Sequence, residues 1–127
     1  MSARTDLLAR NMLPASGARM AEEQPALAQI YSHINGLSQG FDREAVRAKL
    51  HATRNRPPES FAAANTPVLF VPGEEDVVIP PFAPAGMAPA IPGAQVSPLP
   101  KAGHSGHFEH AAAFNAKVDA FFAEVGA

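Results

Sequence analysis

The chain has 127 residues, a formal net charge of −2 and no cysteine. Those values exclude a disulfide scaffold, Cys-ligated zinc, iron–sulfur clusters and thiol catalysis, and they give no general attraction to nucleic acid or anionic lipid. Apolar residues make up 46% of the chain, but Ala supplies 26 of them against 28 for Val, Ile, Leu and Phe together, so the core is thin for one domain of this length.

The first half reads as helices with loops. Leu7, Leu8 and Met12 begin a helical pattern that Pro14 and Gly17 interrupt. Pro25 suits the first turn of a helix carrying Leu27, Ile30, Tyr31 and Ile34, which Asn35-Gly36 ends. Asp42 has the chemistry of an N-cap, with Ala45, Val46, Lys49 and Leu50 following at helical spacing. Pro57-Pro58 opens a shorter helix through Phe61 to Ala64. Arg43, Arg47, Lys49, Arg54 and Arg56 fall on one helix and its exit. Asp42, Glu44 and Glu59 offset them, which reads as a solvated face rather than a nucleic-acid patch.

From residue 66 the pattern changes. Pro67-Val68-Leu69-Phe70-Val71 is a continuous apolar run with turn residues on both sides, as in a parallel strand buried on both faces. Residues 80–90 carry enough Ala for a helix, although Pro81, Pro84 and Pro89 cut into it. Gln95-Val96-Ser97-Pro98-Leu99 is a weaker strand, and Pro98 confines it to a sheet edge. Phe114, Val118, Phe121, Phe122 and Val125 recur at helical spacing and predict a C-terminal helix with one apolar face. Two parallel strands then need a crossover and a covering helix layer.

Each strand is followed by a loop rich in chemistry. The first is Gly73-Glu74-Glu75-Asp76-Val77-Val78-Ile79-Pro80 and the second Gly103-His104-Ser105-Gly106-His107-Phe108-Glu109. Functional groups of open α/β sheets sit beyond the carboxyl ends of strands. A carboxylate that accepts from a His ring N–H fixes its tautomer and stabilises the imidazolium. A second grouping, His104, His107, Glu109 and His110, has metal-ligand residue types, with His51 or His33 as further candidates for a zinc or iron site.

The stretch Thr66 to Pro80, then Ile91-Pro92-Gly93-Ala94, Gly103-His104, Glu109 and Phe114-Asn115, resembles the C-terminal third of an α/β-hydrolase. The similarity covers residues 62–126 and extends to that family's esterases, lactonases, epoxide hydrolases and carbon–carbon-bond hydrolases. Glu109-His110-Ala111 with Phe114-Asn115 is similar to the last group. The resemblance implies an α/β fold in two segments. Residues 1–61 would form a helical cap or lid, and residues 62–127 a C-terminal core portion of two parallel strands with covering helices. It implies Asp76 as the acid and His104 as the general base, with Glu74 and Glu75 less favoured because the family places its carboxylate three positions after the glycine. It implies a small-molecule substrate, no cofactor and no metal.

The nucleophile is the departure. The family needs a strand-to-helix elbow in a Gly-x-Ser-x-Gly frame. The one formal match, Gly36-Leu37-Ser38-Gln39-Gly40, follows a helical pattern instead of a β-branched run. Ser105 adjoins His104, and adjacent residues rarely aim at one point. The expectation is therefore a chain that carries the acid and the histidine but is inactive alone, as a truncated product or part of a longer chain. The alternatives are a non-catalytic module that pairs through the exposed edge of the first strand, and a small His/Glu metal-binding protein. No apolar run approaches the ~20 residues of a membrane span. No signal-peptide core follows Met1, so the expected location is cytoplasmic.

Overall fold

The structure, a computed structural model, describes residues 2–37, 40–57, 59–60 and 65–126. Seven α-helices and two short strands follow in the described residues: α1 (Ala3–Ala9), α2 (Gly17–Glu23), α3 (Pro25–Gly36), α4 (Arg43–Thr53), β1 (Leu69–Phe70), α5 (Phe82–Met87), β2 (Gln95–Val96), α6 (Gly106–Glu109) and α7 (Ala111–Val125). A 3₁₀ turn, Ala88–Ala90, leads from α5 toward β2.

Local chemistry accounts for the helix ends. The Ser2 hydroxyl accepts the Thr5 N–H at 3.2 Å and starts α1. Pro25 occupies the first turn of α3, where its missing N–H costs nothing. Asp42 caps α4 by accepting the Ala45 N–H at 2.9 Å. Gly126 closes α7 in the left-handed conformation at φ 74°. The helix expected from Pro57-Pro58 to Ala64 falls largely outside the described residues. Within them, the Ser60 N–H reaches the Pro57 carbonyl at 3.0 Å. Two helices were not legible: α6, which lies within the stretch read as a loop, and α2, because Gly17 reads as an interruption and Met20 is its only large apolar residue before Glu22-Glu23.

The two strands pair in parallel, with Leu69 opposite Gln95 and Phe70 opposite Val96. The ladder runs on past both. Leu99 N–H donates to the Pro72 carbonyl at 2.8 Å, Glu74 N–H donates to Leu99 O at 3.1 Å, and Gly73 bridges Leu99. α7 is tied to β2 by Lys117 Nζ on Ser97 Oγ at 2.8 Å and Gln95 Nε2 on Glu124 Oε1 at 2.8 Å.

The core is small, as the alanine content predicts. Leu7, Met20, Ile91, Leu99 and Ala102 are its buried apolar residues. It therefore sits where α1 and α2 meet the segment leaving β2. Two expectations of burial need correcting. The run 68–71 is half-buried instead of buried on both faces, because among the described residues β1 has one partner strand. The apolar face of α7 is likewise only half-covered, and Phe122 is 48% exposed.

Candidate active site

Parallel pairing puts the carboxyl ends of β1 and β2 at the same edge, so the loops that leave them run side by side. Their backbones are fastened directly: Glu74 N–H reaches Leu99 O, and Glu75 N–H reaches Ala102 O at 2.9 Å. This approach requires glycine at position 73. A Cβ there would collide with the carbonyl oxygens of Ala102 and Gly103.

The three acidic residues of the first loop have separate fates. Glu74 is exposed. Glu75 turns to α2, where Arg19 Nε lies 3.0 Å from both carboxylate oxygens and Arg19 Nη2 lies 2.6 Å from Oε1. The guanidinium holds the Glu75 carboxyl below the ordinary carboxylate range, and the Arg19 pKa is raised in turn by Glu75 and Glu23. Both side chains are partly exposed, so removing this pair costs little stability.

Asp76 alone points inward. It is 8% exposed. Its Oδ1 accepts the N–H groups of Val78 at 2.7 Å and Ile79 at 2.9 Å, an Asx turn that locks the side chain. Its other oxygen, Oδ2, lies 2.8 Å from His104 Nδ1. A carboxylate only accepts, so this contact makes Nδ1 the donor and leaves Nε2 as the lone-pair nitrogen. The imidazole is about one-third exposed. It borders two recesses, a groove of about 350 Å³ whose walls include Phe70, Ala83 and Met87, and a cavity of about 460 Å³ against α4.

Behind His104 lies a residue that the sequence offers as a metal ligand and as part of the hydrolase resemblance, with no role at the histidine. Glu109 is 4% exposed. Its carboxylate accepts Gly103 N–H at 2.8 Å and Ser105 N–H at 3.2 Å, so it holds the backbone on either side of His104. Burial pushes the Glu109 carboxyl above the ordinary range, although both amide bonds and His110 pull the other way. The available signal was its spacing, five residues past the histidine and one turn of α6 away.

Folding with a raised carboxyl pKa means the native state binds more protons than the unfolded chain. The contribution of Glu109 to stability is therefore fully present below the unfolded Glu value of about 4.3 and is lost as pH rises through the folded value. Glu109→Gln should abolish that decline, at a fixed cost of ~1–3 kcal/mol for the acceptor it loses. Urea unfolding of both proteins between pH 4 and pH 8 measures this. Parallel pH curves would contradict the assignment.

The first-half helices reach the same loop. Tyr31 Oη and Ser105 Oγ share a hydrogen bond of 2.8 Å, and Gln24 Nε2 donates to Glu109 O at 3.2 Å. Tyr31 also meets Phe108 edge-on, with ring centroids 5.2 Å apart. The Ser105 hydroxyl is thus engaged away from the imidazole. Among the described residues no hydroxyl bonds to His104. Ser38, in the formal Gly-x-Ser-x-Gly match, lies outside the described residues.

The His/Glu cluster does not assemble. His107 packs edge-on against Phe114 at 6.0 Å, and His110 Nε2 lies 3.1 Å from the Lys101 carbonyl. Among the described residues no group of three or more His, Asp or Glu could hold a metal ion. No described helix is long and apolar enough to cross a membrane.

Comparison with known proteins gives the family and the fold. A family model described as TAP-like protein matches residues 45–126. A protein of Mycobacterium tuberculosis strain H37Rv, named as a non-heme bromoperoxidase BpoC, is 41% identical over 61 residues, which is 48% of this chain and 23% of that protein. The crystal structure of BpoC from that strain superposes over 100% of this chain and 47% of its own, with 25% identity and a TM-score of 0.72. The structure of Est816, described as an N-acyl homoserine lactone degrading enzyme, covers 85% of this chain and 43% of its own at 24% identity and a TM-score of 0.65. The chain thus spans about half the length of these solved relatives. Its two-stranded parallel sheet with covering helices accords with the C-terminal portion of their fold. The chain belongs to the TAP-like family of the α/β-hydrolase superfamily.

Proposed function

We propose that this chain supplies the acid and the base of a nucleophile–His–Asp hydrolase. The observation that carries the reading is the 2.8 Å contact between Asp76 Oδ2 and His104 Nδ1, with Asp76 Oδ1 tied to the backbone. Asp76 orients the imidazole, and Nε2 takes the proton of a serine or water as it attacks. The imidazolium is stabilised by the carboxylate and then returns the proton to the leaving group. The bond cleaved is an ester, a lactone, an epoxide or an activated carbon–carbon bond. Degradation of an N-acyl homoserine lactone is the activity named for the structural relative Est816. Residues 1–61 act as the cap that selects the substrate, since Gln24 and Tyr31 bond to the histidine loop.

Two measurements test this. Nitrogen-15 NMR of the imidazole should show His104 protonated at Nδ1 with Nε2 open, and the opposite tautomer overturns the reading. With p-nitrophenyl acetate the isolated chain should release nitrophenol no faster than free imidazole at equal concentration, because no described hydroxyl reaches His104. Saturable turnover that His104→Ala removes and Ser38→Ala spares would refute the expected inactivity.

A second reading concerns self-association. Among the described residues β1 has a partner on one side only, and Leu37 and Phe82 are 81% and 75% exposed. An unpaired strand edge is a template for another copy. Light scattering should then show a dimer, and a monomer with a cooperative melt counts against it.

A further inference from the structure

Helix α4 carries Arg43, Arg47, His51 and Arg54, spaced i, i+4, i+8 and i+11. That spacing sets them in one stripe. Sequence reading treats this as a solvated face, yet the stripe lines the cavity of about 460 Å³ that also holds His104. Val46 and Leu50 of α4 and Val78 and Ile79 of the Asp76 loop give the cavity apolar walls, and Arg4 of α1 reaches its rim. No carboxylate is among the lining residues.

The charges in this recess are only partly answered. Arg47 pairs at 2.5 Å with Glu44, whose side chain is 78% exposed. Arg43 Nη2 donates to the Asn35 carbonyl at 2.8 Å. The guanidiniums of Arg4 and Arg54 have no hydrogen-bond or ion-pair partner among the described residues. A guanidinium offers a planar fork of donors that matches a carboxylate, and it remains charged at any working pH. Unanswered guanidiniums, apolar side chains and an imidazole lining one recess match the chemistry of an organic acid.

We propose that the α4 cavity is an anion subsite, and that the substrate is an organic acid whose carboxylate is held by Arg54 and Arg4. Its apolar body lies against Val46, Leu50 and Ile79, which brings the bond to be cleaved to His104. The placement of that bond rests on the hydrolase reading above, whereas the anion subsite rests on the cavity alone.

The test is binding of phenylacetate to the full chain, followed by NMR, against the neutral isostere phenylacetamide and against inorganic phosphate. Phenylacetate is expected to bind at least tenfold more tightly than phenylacetamide and to shift the His104 ring signals. Its affinity should fall tenfold or more in the double variant Arg4→Gln, Arg54→Gln, and should fall with added salt. Arg10→Gln, which lies in a different recess and contacts Glu22, should change nothing. Both replaced arginines are exposed, and circular dichroism checks that the double variant folds. Equal affinity for acid and amide, or indifference to the arginine changes, overturns the proposal. Phosphate binding as tight as phenylacetate overturns the organic-acid class. The two readings fail separately. Arginine-dependent phenylacetate binding with the wrong His104 tautomer sinks the hydrolase reading alone. The right tautomer without such binding sinks the subsite alone.

Discussion

Asp76→Asn should fold like the parent and yet reverse the chemistry of His104. Asparagine keeps an Oδ1 that can accept the Val78 and Ile79 N–H groups, so the loop geometry survives. At the other position an amide donor replaces the acceptor 2.8 Å from His104 Nδ1. Nδ1 must then accept, the ring proton moves to Nε2, and the nitrogen needed as base is blocked. In any preparation that turns over an ester or lactone, the rate should drop about 10⁴-fold. In the isolated chain, nitrogen-15 shifts should show the tautomer exchanged, with the melting temperature within a few degrees of the parent. An unchanged tautomer would contradict the assignment of Asp76 as partner. Asp76→Ala should behave differently, because it strips both backbone N–H groups of their acceptor. The cost of unpaired buried groups is ~1–3 kcal/mol each, so it should lower stability as well.

Gly73→Ala is expected to be the most destabilising single methyl added to this chain. Its Cβ would overlap two backbone carbonyls, those of Ala102 and Gly103, and a carbonyl cannot rotate aside as a side chain can. Glu74 and Glu75 N–H bonds hold the facing segments together on the next residues, so the clash has no easy exit. Overpacking of this kind costs typically ~1–3 kcal/mol and more against rigid backbone, and with a core as small as that of the described residues the loss is felt fully. A fall of ~10 °C in melting temperature should follow, together with separation of Asp76 from His104. Gly86→Ala is the control. Nothing lies within 4 Å of its Cβ position, and α5 is helical there, so a neutral or slightly stabilising change of ~0.4–1 kcal/mol is expected. Equal melting temperatures for Gly73→Ala and the parent would show that the loops do not meet as described.

Much of the local structure was legible because it depends on near neighbours in the chain. Pro25, Asn35-Gly36 and Asp42 mark helix ends by restricting or satisfying their own backbone, and α3 and α4 begin and end accordingly. The apolar runs at 67–71 and 95–99 contain both strands. Burial was less legible. The periodic faces of α3, α4 and α7 predict coverage, yet Ile30, Ile34, Leu50 and Phe122 remain about half exposed. Periodicity tells which side of a helix is apolar, not whether anything lies against it.

The residues of the candidate site divide along the same line. The order of strand, acidic loop, strand and histidine loop is a property of the sequence, and parallel pairing then brings the two loops to one edge. Residue types alone left three acidic candidates, the resemblance favoured Asp76, and in the fold it is Asp76 that meets His104. Glu75 is drawn away by Arg19, 56 residues earlier, and Asp76 is turned inward by its own Asx turn. The same holds for Glu109, which changes from a possible metal ligand into the support of the histidine loop once α6 folds back onto Gly103, and for the α4 arginines, which overlook His104 instead of open solvent. By itself the sequence determined helix ends, strands and the types of reacting groups, since those follow from short-range backbone and side-chain chemistry. The tertiary structure decided which of those groups are partners, because hydrogen bonds and ion pairs depend on distances between atoms that the chain order does not contain.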